Sequence, residues 1–351
     1  MVKSTNIQYL DTLRALATLG VIVIHVSSPV LNMTFMKNMN FWCIGNIVDS
    51  SVRFAVPVFL MLSGATMLNR EYPLDEFYKK RMMRVLVPFL FWMMVYWIFR
   101  WLILSPQKQP EGFGNIMQWA VNLLLVEGIS KHFWYLYMIL FIYLFVPFIG
   151  RAVRKASNPA LLYGLLAWVV LCLATYSMNL SFYKWTGDYH LKLLGYVEYS
   201  GFLVLGYYLA KTTTNSNKTR LIAGLAFIAS VAVCATVAWL MSNNGQGLNL
   251  RIYSYLSVNT IIQSVAVFML VKDSNIKNKF VCRVQKTISD YSYGIYLVHI
   301  IVIGVLFRNG IYWSFAHPLI SLPGLTILVL VCSFAIIFVL RKVPWGKYVA
   351  G

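Results

Sequence analysis

The sequence predicts an all-α fold, a polytopic bundle of about ten transmembrane helices. Of its 351 residues, 59% are hydrophobic and 12% are charged, which is far outside the composition of soluble domains. Hydropathy also marks ten apolar segments, each long enough to cross about 30 Å of hydrocarbon. The predicted spans are 8–28, 46–69, 84–104, 132–150, 160–178, 192–210, 219–241, 252–271, 289–307 and 319–340. A shorter segment, 113–126, ends at Glu127 and is interpreted as interfacial or re-entrant.

The basic residues predict the orientation of the bundle. With the N-terminus inside, twenty of the 30 Lys and Arg residues fall in cytoplasmic loops and eight fall on the opposite side. Every inner loop is richer in Lys and Arg than the outer loops beside it, as the positive-inside rule requires. Both termini are therefore predicted to be cytoplasmic. The net charge of +19 is attributed to this signal, with anionic lipid of the bilayer as the partner and no nucleic acid.

Several protein classes do not fit the sequence. The first apolar segment lacks both a basic leader region and a small-residue cleavage site, so it does not read as a signal peptide. The five cysteines are odd in number and widely spaced, which argues against a disulfide framework or a zinc knot, and no metal site is predicted. We expect one membrane-embedded domain over 1–351 without an appended soluble domain, so any chemistry takes place in the membrane part.

The first span carries two ionisable residues on one face. Arg14 and His25 are eleven residues apart, which is about three helical turns and roughly 16 Å along the axis. Ionisable groups within a bilayer normally face a bundle interior or a water-filled cavity. One face of this helix is therefore expected to line a polar path, with Arg14 near the inner end and His25 deeper. Asp11, one turn before Arg14, can pair with it.

The second and third spans add candidates near the predicted inner face. Pro57 is expected to loosen the backbone of the second span, and Ser63-Gly64 offers a small polar surface. That surface suits either a ligand or a close helix crossing. Arg81 and Arg84 share a helical face at the membrane boundary. They suit charge-assisted binding of phosphates, but they also fit an ordinary basic flank.

Further candidates lie in the fourth, sixth and ninth spans. His132 and Trp134 begin the fourth span from the outside, as a solvated residue and an aromatic belt or as part of a site. Glu198 is an acid within the sixth span, so it should pair with a group such as Arg53 or be neutral. His299 falls near mid-membrane, either as a hydrogen-bonded packing residue or as a functional one.

Together these segments resemble one family, the integral-membrane acyltransferase-3 group, which O-acylates bacterial surface carbohydrates. The matching segments occur in the family's order: LDTLRALATLGVIVIH with its Arg-x10-His signature, FAVPVFLMLSG, RMMRVLVP, FWYLY and SYGIYLVH. The resemblance covers essentially the whole chain. Larger members add an extracytoplasmic hydrolase-like domain that this sequence lacks, so it is similar to the stand-alone members that modify exopolysaccharide or O-antigen.

The resemblance implies roles for individual residues. The donor would be acetyl-CoA, a substrate that approaches from the cytoplasm, and the acceptor a glycan. The catalytic residues would be His25 and Arg14. The donor-binding residues would be Arg14, Ser63, Gly64, Arg81, Arg84 and His299. The acceptor-binding residues, placed from their positions on the outer side, would be Arg53, His132, Trp134 and Glu198.

The expected chemistry needs a base such as His25. A sugar hydroxyl is a poor nucleophile until a positioned group takes its proton, and histidine does this well near neutral pH. Direct transfer and a covalent acetyl-histidine both remain open. Because the donor would come from inside and the acceptor from outside, we expect a continuous passage from a cationic cytoplasmic mouth to the His25 ring.

Two other classes of function remain open from the sequence. A secondary transporter would also have many spans and intramembrane charges, although nothing here reads as a repeated half. A glycan flippase or binding scaffold would explain the aromatic and basic surfaces but not the Arg14–His25 stripe. We expect the bacterial inner membrane as the location. The acyl group beyond acetyl, the glycan and the oligomeric state, with a homodimer as one alternative, are left open.

Overall fold

The computed structural model describes residues 5–103, 112–122, 129–177, 195–212, 216–244, 247–272, 274 and 276–351, and it contains helices and no strand within those ranges. The first helices are α1 (Thr5–Thr34), α2 (Met39–Ser50), α3 (Ala55–Met67), α4 (Leu74–Phe77), α5 (Met83–Ile103), α6 (Phe113–Asn122) and α7 (Trp134–Lys155). The later helices are α8 (Asn158–Ser177), α9 (Ser200–Thr212), α10 (Asn217–Asn243), α11 (Val258–Val271), α12 (Lys279–Arg308), α13 (Pro318–Lys342) and α14 (Gly346–Val349).

Eight helical segments of the described residues are long and apolar enough to cross a membrane. They are Gln8–Thr34, Met39–Met67, Leu74–Leu102, Lys131–Lys155, Asn158–Thr175, Asn217–Asn243, Lys279–Arg308 and Pro318–Lys342. The prediction of an all-α polytopic bundle is confirmed. The sixth and eighth predicted spans coincide with the shorter helices α9 and α11, and residues 192–194 of the sixth lie outside the described residues. In the segment 113–126, α6 is described, but 123–126 and Glu127 are not.

The first helix lies at the centre of the bundle. It packs against α2, α3, α11, α12 and α13, so several helices surround it. It is continuous from Thr5 to Thr34 despite Pro29 within it, and the axial separation of roughly 16 Å between Arg14 and His25 therefore holds. The central position places this stripe inside the protein, as the cost of charge in a bilayer demands.

The second predicted span is interrupted by a turn. Its first part, α2, ends at Ser50, the backbone turns over residues 51–54, and α3 begins at Ala55. Pro57 lies in the first turn of α3 and has no N–H to donate to the carbonyl of Arg53, four residues earlier in the turn. The interruption therefore agrees with the expectation that Pro57 loosens this span. The turn itself carries Arg53, whose buried ion pair is described below.

A close crossing between α3 and α9 holds the short sixth helix in place. A Cβ built on Gly64 would overlap the backbone carbonyl of Leu203, and one built on Gly206 would overlap the carbonyl of Met61. Only glycine permits such an approach at either position. Small residues allow this kind of crossing in membranes, where packing drives helix association without a hydrophobic force between helices.

Candidate functional site

A cavity of about 900 Å³ lies between α1, α3, α5, α7, α12 and α14. This volume is within the usual range of ligand pockets, about 300–1,000 Å³. Six of its lining residues are cations, and no Asp or Glu is among the described residues that line it. The cations are Arg14, Lys79, Lys80, Arg81, Arg84 and Lys347. We call this set the basic mouth. It lies at the end of the bundle that the charge distribution predicts to be cytoplasmic, and it suits a polyanionic ligand.

A π-helical turn supplies three of these cations. Residues Tyr78–Met82 form the π-helix between α4 and α5, and Lys79, Lys80 and Arg81 lie on it. Turns of this kind are rare and occur often at functional sites. The Arg81 guanidinium lies 5.8 Å from the ring centroid of Tyr72, close enough for a cation–π contact. Arg81 and Arg84 are among the candidates predicted from the sequence, but the lysines beside them are not.

Arg14 is held in place by the ninth predicted span. Its Nη1 donates a 2.9 Å hydrogen bond to Ser289 Oγ on α12, and that hydroxyl donates a 2.7 Å bond to Asp11 Oδ1. The guanidinium is also 3.8 Å from the Asp11 carboxylate, so the predicted pairing one turn apart is confirmed. About a third of the Arg14 side chain remains exposed, on the cavity. The guanidinium is therefore oriented by the protein and still accessible to a ligand.

Three histidines from three helical segments meet deeper in the bundle. The ring centroid of His25 lies 5.2 Å from that of His299 and 6.3 Å from that of His132, and the latter two rings are 5.3 Å apart. We call these residues the histidine cluster. His132 and His299 are buried, whereas His25 is half-buried. The interpretation of His132 as a solvated interfacial residue is therefore wrong, because the helix entry at Lys131–Phe133 turns it inward.

Two ring nitrogens of the histidine cluster have no hydrogen-bond partner among the described residues. His299 Nδ1 is 2.6 Å from the backbone oxygen of Tyr296. A carbonyl only accepts, so Nδ1 carries the hydrogen and Nε2 of the neutral ring keeps its lone pair. The Nε2 atoms of His132 and His299 are buried, with no hydrogen-bond partner among the described residues. His132 Nδ1 is held by Ser130 Oγ at 2.7 Å. Within the described ranges, no group of three or more His, Cys, Asp or Glu is arranged to hold a metal.

Two tyrosines separate the cavity from the histidine cluster. Tyr135 and Tyr296 line the cavity, and their ring centroids are 5.6 Å apart. The Tyr296 ring lies 5.4 Å from His132 and 5.7 Å from His299, and its hydroxyl donates to the His132 carbonyl. The cavity lining, as far as the structure describes it, includes none of the three histidines. In this structure the cavity therefore ends at these two rings, one aromatic layer short of the cluster.

A buried ion pair lies between α2 and α3. Arg53, in the turn, pairs with Asp49 one helical turn earlier, and Ser27 Oγ donates a 2.8 Å hydrogen bond to that carboxylate. The guanidinium also lies 4.3 Å from the Tyr253 ring centroid and 5.9 Å from that of Tyr255. Arg53 is therefore paired with Asp49 and not with Glu198, which was one of the alternatives for Glu198. Asp49 was not among the predicted candidates, although its position four residues before Arg53 within the same predicted span was a usable signal.

The remaining outer-side candidates gather around an aromatic group. Trp134 stacks on Tyr255 with centroids 5.5 Å apart and planes within 19°, and it lies 5.8 Å from Tyr199. Tyr255 therefore links Trp134 to the Arg53 guanidinium. Glu198 precedes Tyr199, and its backbone oxygen accepts a 2.7 Å bond from the Trp168 indole. The structure thus brings Arg53 and Trp134 together, with Glu198 beside the same aromatic group.

The Ser63-Gly64 pair is divided between two roles. Ser63 lines the cavity, and its hydroxyl lies 3.4 Å from that of Tyr143. Gly64 faces the opposite way, against Leu203, and is not among the lining residues. The geometry gives Gly64 a packing role in the helix crossing. His299 likewise lies with His25 in the histidine cluster, not on the cavity, so its expected contact with the donor does not occur within the cavity as it stands.

These features are those of a multi-pass membrane protein with a basic intramembrane cavity that ends beside buried imidazoles. The family model for an acyltransferase domain of the acyltransferase-3 type matches residues 7–341, nearly the whole chain. The chain belongs to this family. It is therefore a membrane acyltransferase in general terms. No curated protein matches the chain, and no solved structure matches it.

Proposed function

We propose that this protein transfers an acetyl group from cytoplasmic acetyl-CoA to a hydroxyl of a bacterial surface glycan or exopolysaccharide, at the outer side of the inner membrane. The observation that supports it best is the juxtaposition of the basic mouth, the tyrosine-ended cavity and the histidine cluster. A membrane acyltransferase needs both an anion-binding entry for an activated donor and a base beyond it. The basic mouth offers the anion-binding entry, and the histidine cluster, which Tyr296 joins to the cavity, offers the base.

The donor would enter through the basic mouth. Acetyl-CoA carries several phosphate charges at one end and a thioester at the other. Its nucleotide end therefore matches a cavity whose described lining has six cationic side chains and no Asp or Glu. Arg14, Arg81 and Arg84 would hold these phosphates. Ser63 and Tyr143 would line the path of the slender pantetheine arm, which has amide groups that hydroxyls can bind. The thioester would then approach Tyr135 and Tyr296.

The histidine cluster would supply the base. In this proposal His25 takes the proton of the sugar hydroxyl while its oxygen attacks the thioester carbonyl carbon. The carbon–sulfur bond then breaks, and the thiolate of CoA leaves and receives the proton from the imidazolium. The alternative in which His25 first carries the acetyl group uses the same residues. His132 and His299 are proposed as positioning residues, since both rings lie against His25.

The tyrosine layer implies a movement during the reaction. Because Tyr135 and Tyr296 close the cavity before the histidine cluster, the thioester reaches His25 only if one of these rings swings aside. Closure before binding would keep water and ions from crossing between the basic mouth and the cluster. Gating of this kind by a few side chains is common where an enzyme must exclude water from its reaction.

The acceptor would be bound on the other side of the cluster. Aromatic rings pack against the apolar faces of sugars, and charged groups bind their hydroxyls. Trp134, stacked on Tyr255, and Arg53, beside the same ring, offer both kinds of contact. Glu198 lies next to this group and would bind hydroxyls as an acceptor of hydrogen bonds. His132 would face the incoming hydroxyl from the buried side.

Purified protein in liposomes tests the proposal. Labelled acetyl-CoA and a candidate glycan should yield acetyl-glycan and free CoA with wild-type protein, and His25→Asn should abolish turnover. His317→Asn is the matched control, because His317 is an exposed histidine at the N-cap of α13 and asparagine can cap equally well. Equal turnover by His25→Asn and wild type, or no thioester loss by wild type with any glycan, would contradict the proposal.

Transport is the second candidate function, and the interrupted helix at residues 51–54 favours it. Transporters build substrate sites from broken helices near the bilayer centre. Uptake of an unmodified solute into the same liposomes, without loss of thioester, would support transport over acyl transfer.

A further inference from the structure

The last residues of the chain fold back against the wall of the cavity. After α13 ends at Lys342, Trp345 adopts a left-handed backbone conformation (φ 67°), and the short helix α14 follows. We call Trp345–Gly351 the C-terminal segment. It packs against α5 and α13, and Lys347, Tyr348 and Gly351 line the cavity. It lies beyond residues 7–341, which the family model matches, so membership of the family does not imply its role.

Several contacts fix the C-terminal segment in this position. The Trp92 indole on α5 donates a 2.9 Å hydrogen bond to the Val349 carbonyl, and an Arg341 Nη2 donates a 2.5 Å bond to the Gly351 oxygen. Ala350 is completely buried, and a Cβ built on Gly294 of α12 would overlap its carbonyl. An unattached tail would not have a buried alanine and two side-chain anchors. The segment is thus a built part of the cavity wall.

The charged side chain that this segment brings to the cavity is that of Lys347. Its side chain is exposed, and its Nζ lies 5.2 Å from the ring centroid of Tyr348, which also lines the cavity. The other cations of the basic mouth come from α1, the π-helix and α5. Lys347 therefore adds a positive charge from a separate wall, in a lining without Asp or Glu among its described residues.

We propose that Lys347 binds a phosphate of the nucleotide end of the donor, and that the C-terminal segment is a specificity-determining part of the donor site. This inference rests on the proposed function, in which the donor is an acyl-CoA. A phosphorylated nucleotide extends over several ångströms and carries charge at more than one place, so cations on separate walls can bind it together. A donor with the same thioester arm but no nucleotide would gain nothing from Lys347.

The test uses the full-length protein in nanodiscs of zwitterionic lipid, with CoA binding measured by calorimetry. Lys347→Gln should weaken CoA binding about three- to tenfold, the loss expected for one charge-assisted contact. Lys342→Gln is the matched control, because Lys342 has the same charge five residues earlier but lies outside the cavity lining, over the Phe338 ring. It should bind CoA as wild type does. With acetyl-pantetheine, which lacks phosphate, Lys347→Gln should match wild type.

The outcomes separate this inference from the proposed function. Wild-type binding of CoA with no difference between Lys347→Gln and Lys342→Gln would overturn the inference alone. If Lys347→Gln weakens CoA binding only in nanodiscs that contain anionic lipid, Lys347 binds a lipid headgroup, and the inference is overturned as well. Failure of wild-type protein to bind CoA would overturn both. Thermal unfolding of each variant, expected to match wild type, checks that the fold is retained.

Discussion

Replacing Asp49 by asparagine should destabilise the protein far more than an equivalent change at its surface. The Asp49 side chain is 1% exposed and that of Arg53 is 9% exposed, so the substitution leaves a buried guanidinium without its counter-ion. Removing one partner of a buried pair costs about 3–5 kcal/mol of the free energy of unfolding, because the remaining charge stays desolvated. The loss should therefore fall in that range.

The chain offers a matched control for this change. Asp290 forms an ion pair with Lys286 at the same four-residue spacing, but its side chains are 48% and 63% exposed. Such exposed pairs contribute about 0–1 kcal/mol, so Asp290→Asn should have little effect. The assay is unfolding of purified protein in detergent, followed by circular dichroism and by retention of the monodisperse peak after heating.

A double variant tests whether the pair acts as a unit. In Asp49→Asn combined with Arg53→Met no unpaired charge remains, so much of the lost stability should return. If Asp49→Asn lowers stability no more than Asp290→Asn does, the buried pair does not stabilise the fold in this way. The same conclusion holds if the losses of the two single variants simply add in the double variant, since independent sites do not couple.

Three further outcomes follow from the site and its packing. Gly64→Val should sharply reduce the yield of folded protein in size-exclusion chromatography, because a Cβ at position 64 overlaps the Leu203 carbonyl. Gly304→Ala should be tolerated, because a Cβ at position 304 meets only the Phe99 ring at 3.6 Å. If His25 is the base of the proposed acetyl transfer, His299→Gln should misplace its ring and lower kcat by about 10²-fold, while the KM for acetyl-CoA stays unchanged. A change in KM alone would contradict a positioning role for His299. Arg84→Gln should raise the KM for acetyl-CoA roughly tenfold, because Arg84 lines the cavity. Arg283 is an exposed cation outside the cavity lining, so Arg283→Gln should leave this KM unchanged. Equal effects of the two variants would show a general effect of charge and not a binding site.

The helical architecture could be predicted from the sequence because a single physical constraint, the pairing of backbone polar groups in lipid, determines it. Apolar segments long enough to cross hydrocarbon must be helical, since an unpaired backbone is too costly in lipid. The interruption at residues 51–54 was only partly predictable. Pro57 indicates a distortion in this region, but both halves of the span are apolar, and no pattern in the sequence shows that one helix ends at Ser50 and the next begins at Ala55.

The site was only partly predictable. Arg14 and His25 stand out because ionisable residues inside an apolar span need a polar environment, and helical spacing fixes their relation. The meeting of His132 and His299 with His25 depends on how three helical segments pack, and no local pattern encodes it. Lys347 is an ordinary basic residue in the sequence, and only the fold of the C-terminal segment brings it to the cavity.

Tyr135 and Tyr296 illustrate the same limit. Both stand in the segments FWYLY and SYGIYLVH, where a tyrosine reads as packing or as part of an aromatic belt. Their position as a closed layer between the cavity and the histidine cluster follows from tertiary contacts alone. The sequence therefore predicted a passage that reaches His25, whereas the cavity in the structure ends at these two tyrosines.

A cryo-electron microscopy structure with a bound, hydrolysis-resistant acetyl-CoA analogue would show whether the cavity and the histidine cluster form one acyl-transfer site. We expect phosphate density at Arg81, Arg84 and Lys347, with the Tyr135 or Tyr296 ring displaced and the acyl carbonyl beside His25. An analogue bound away from the basic mouth would contradict the proposed function, as would an acyl end that stays on the mouth side of an unmoved tyrosine layer.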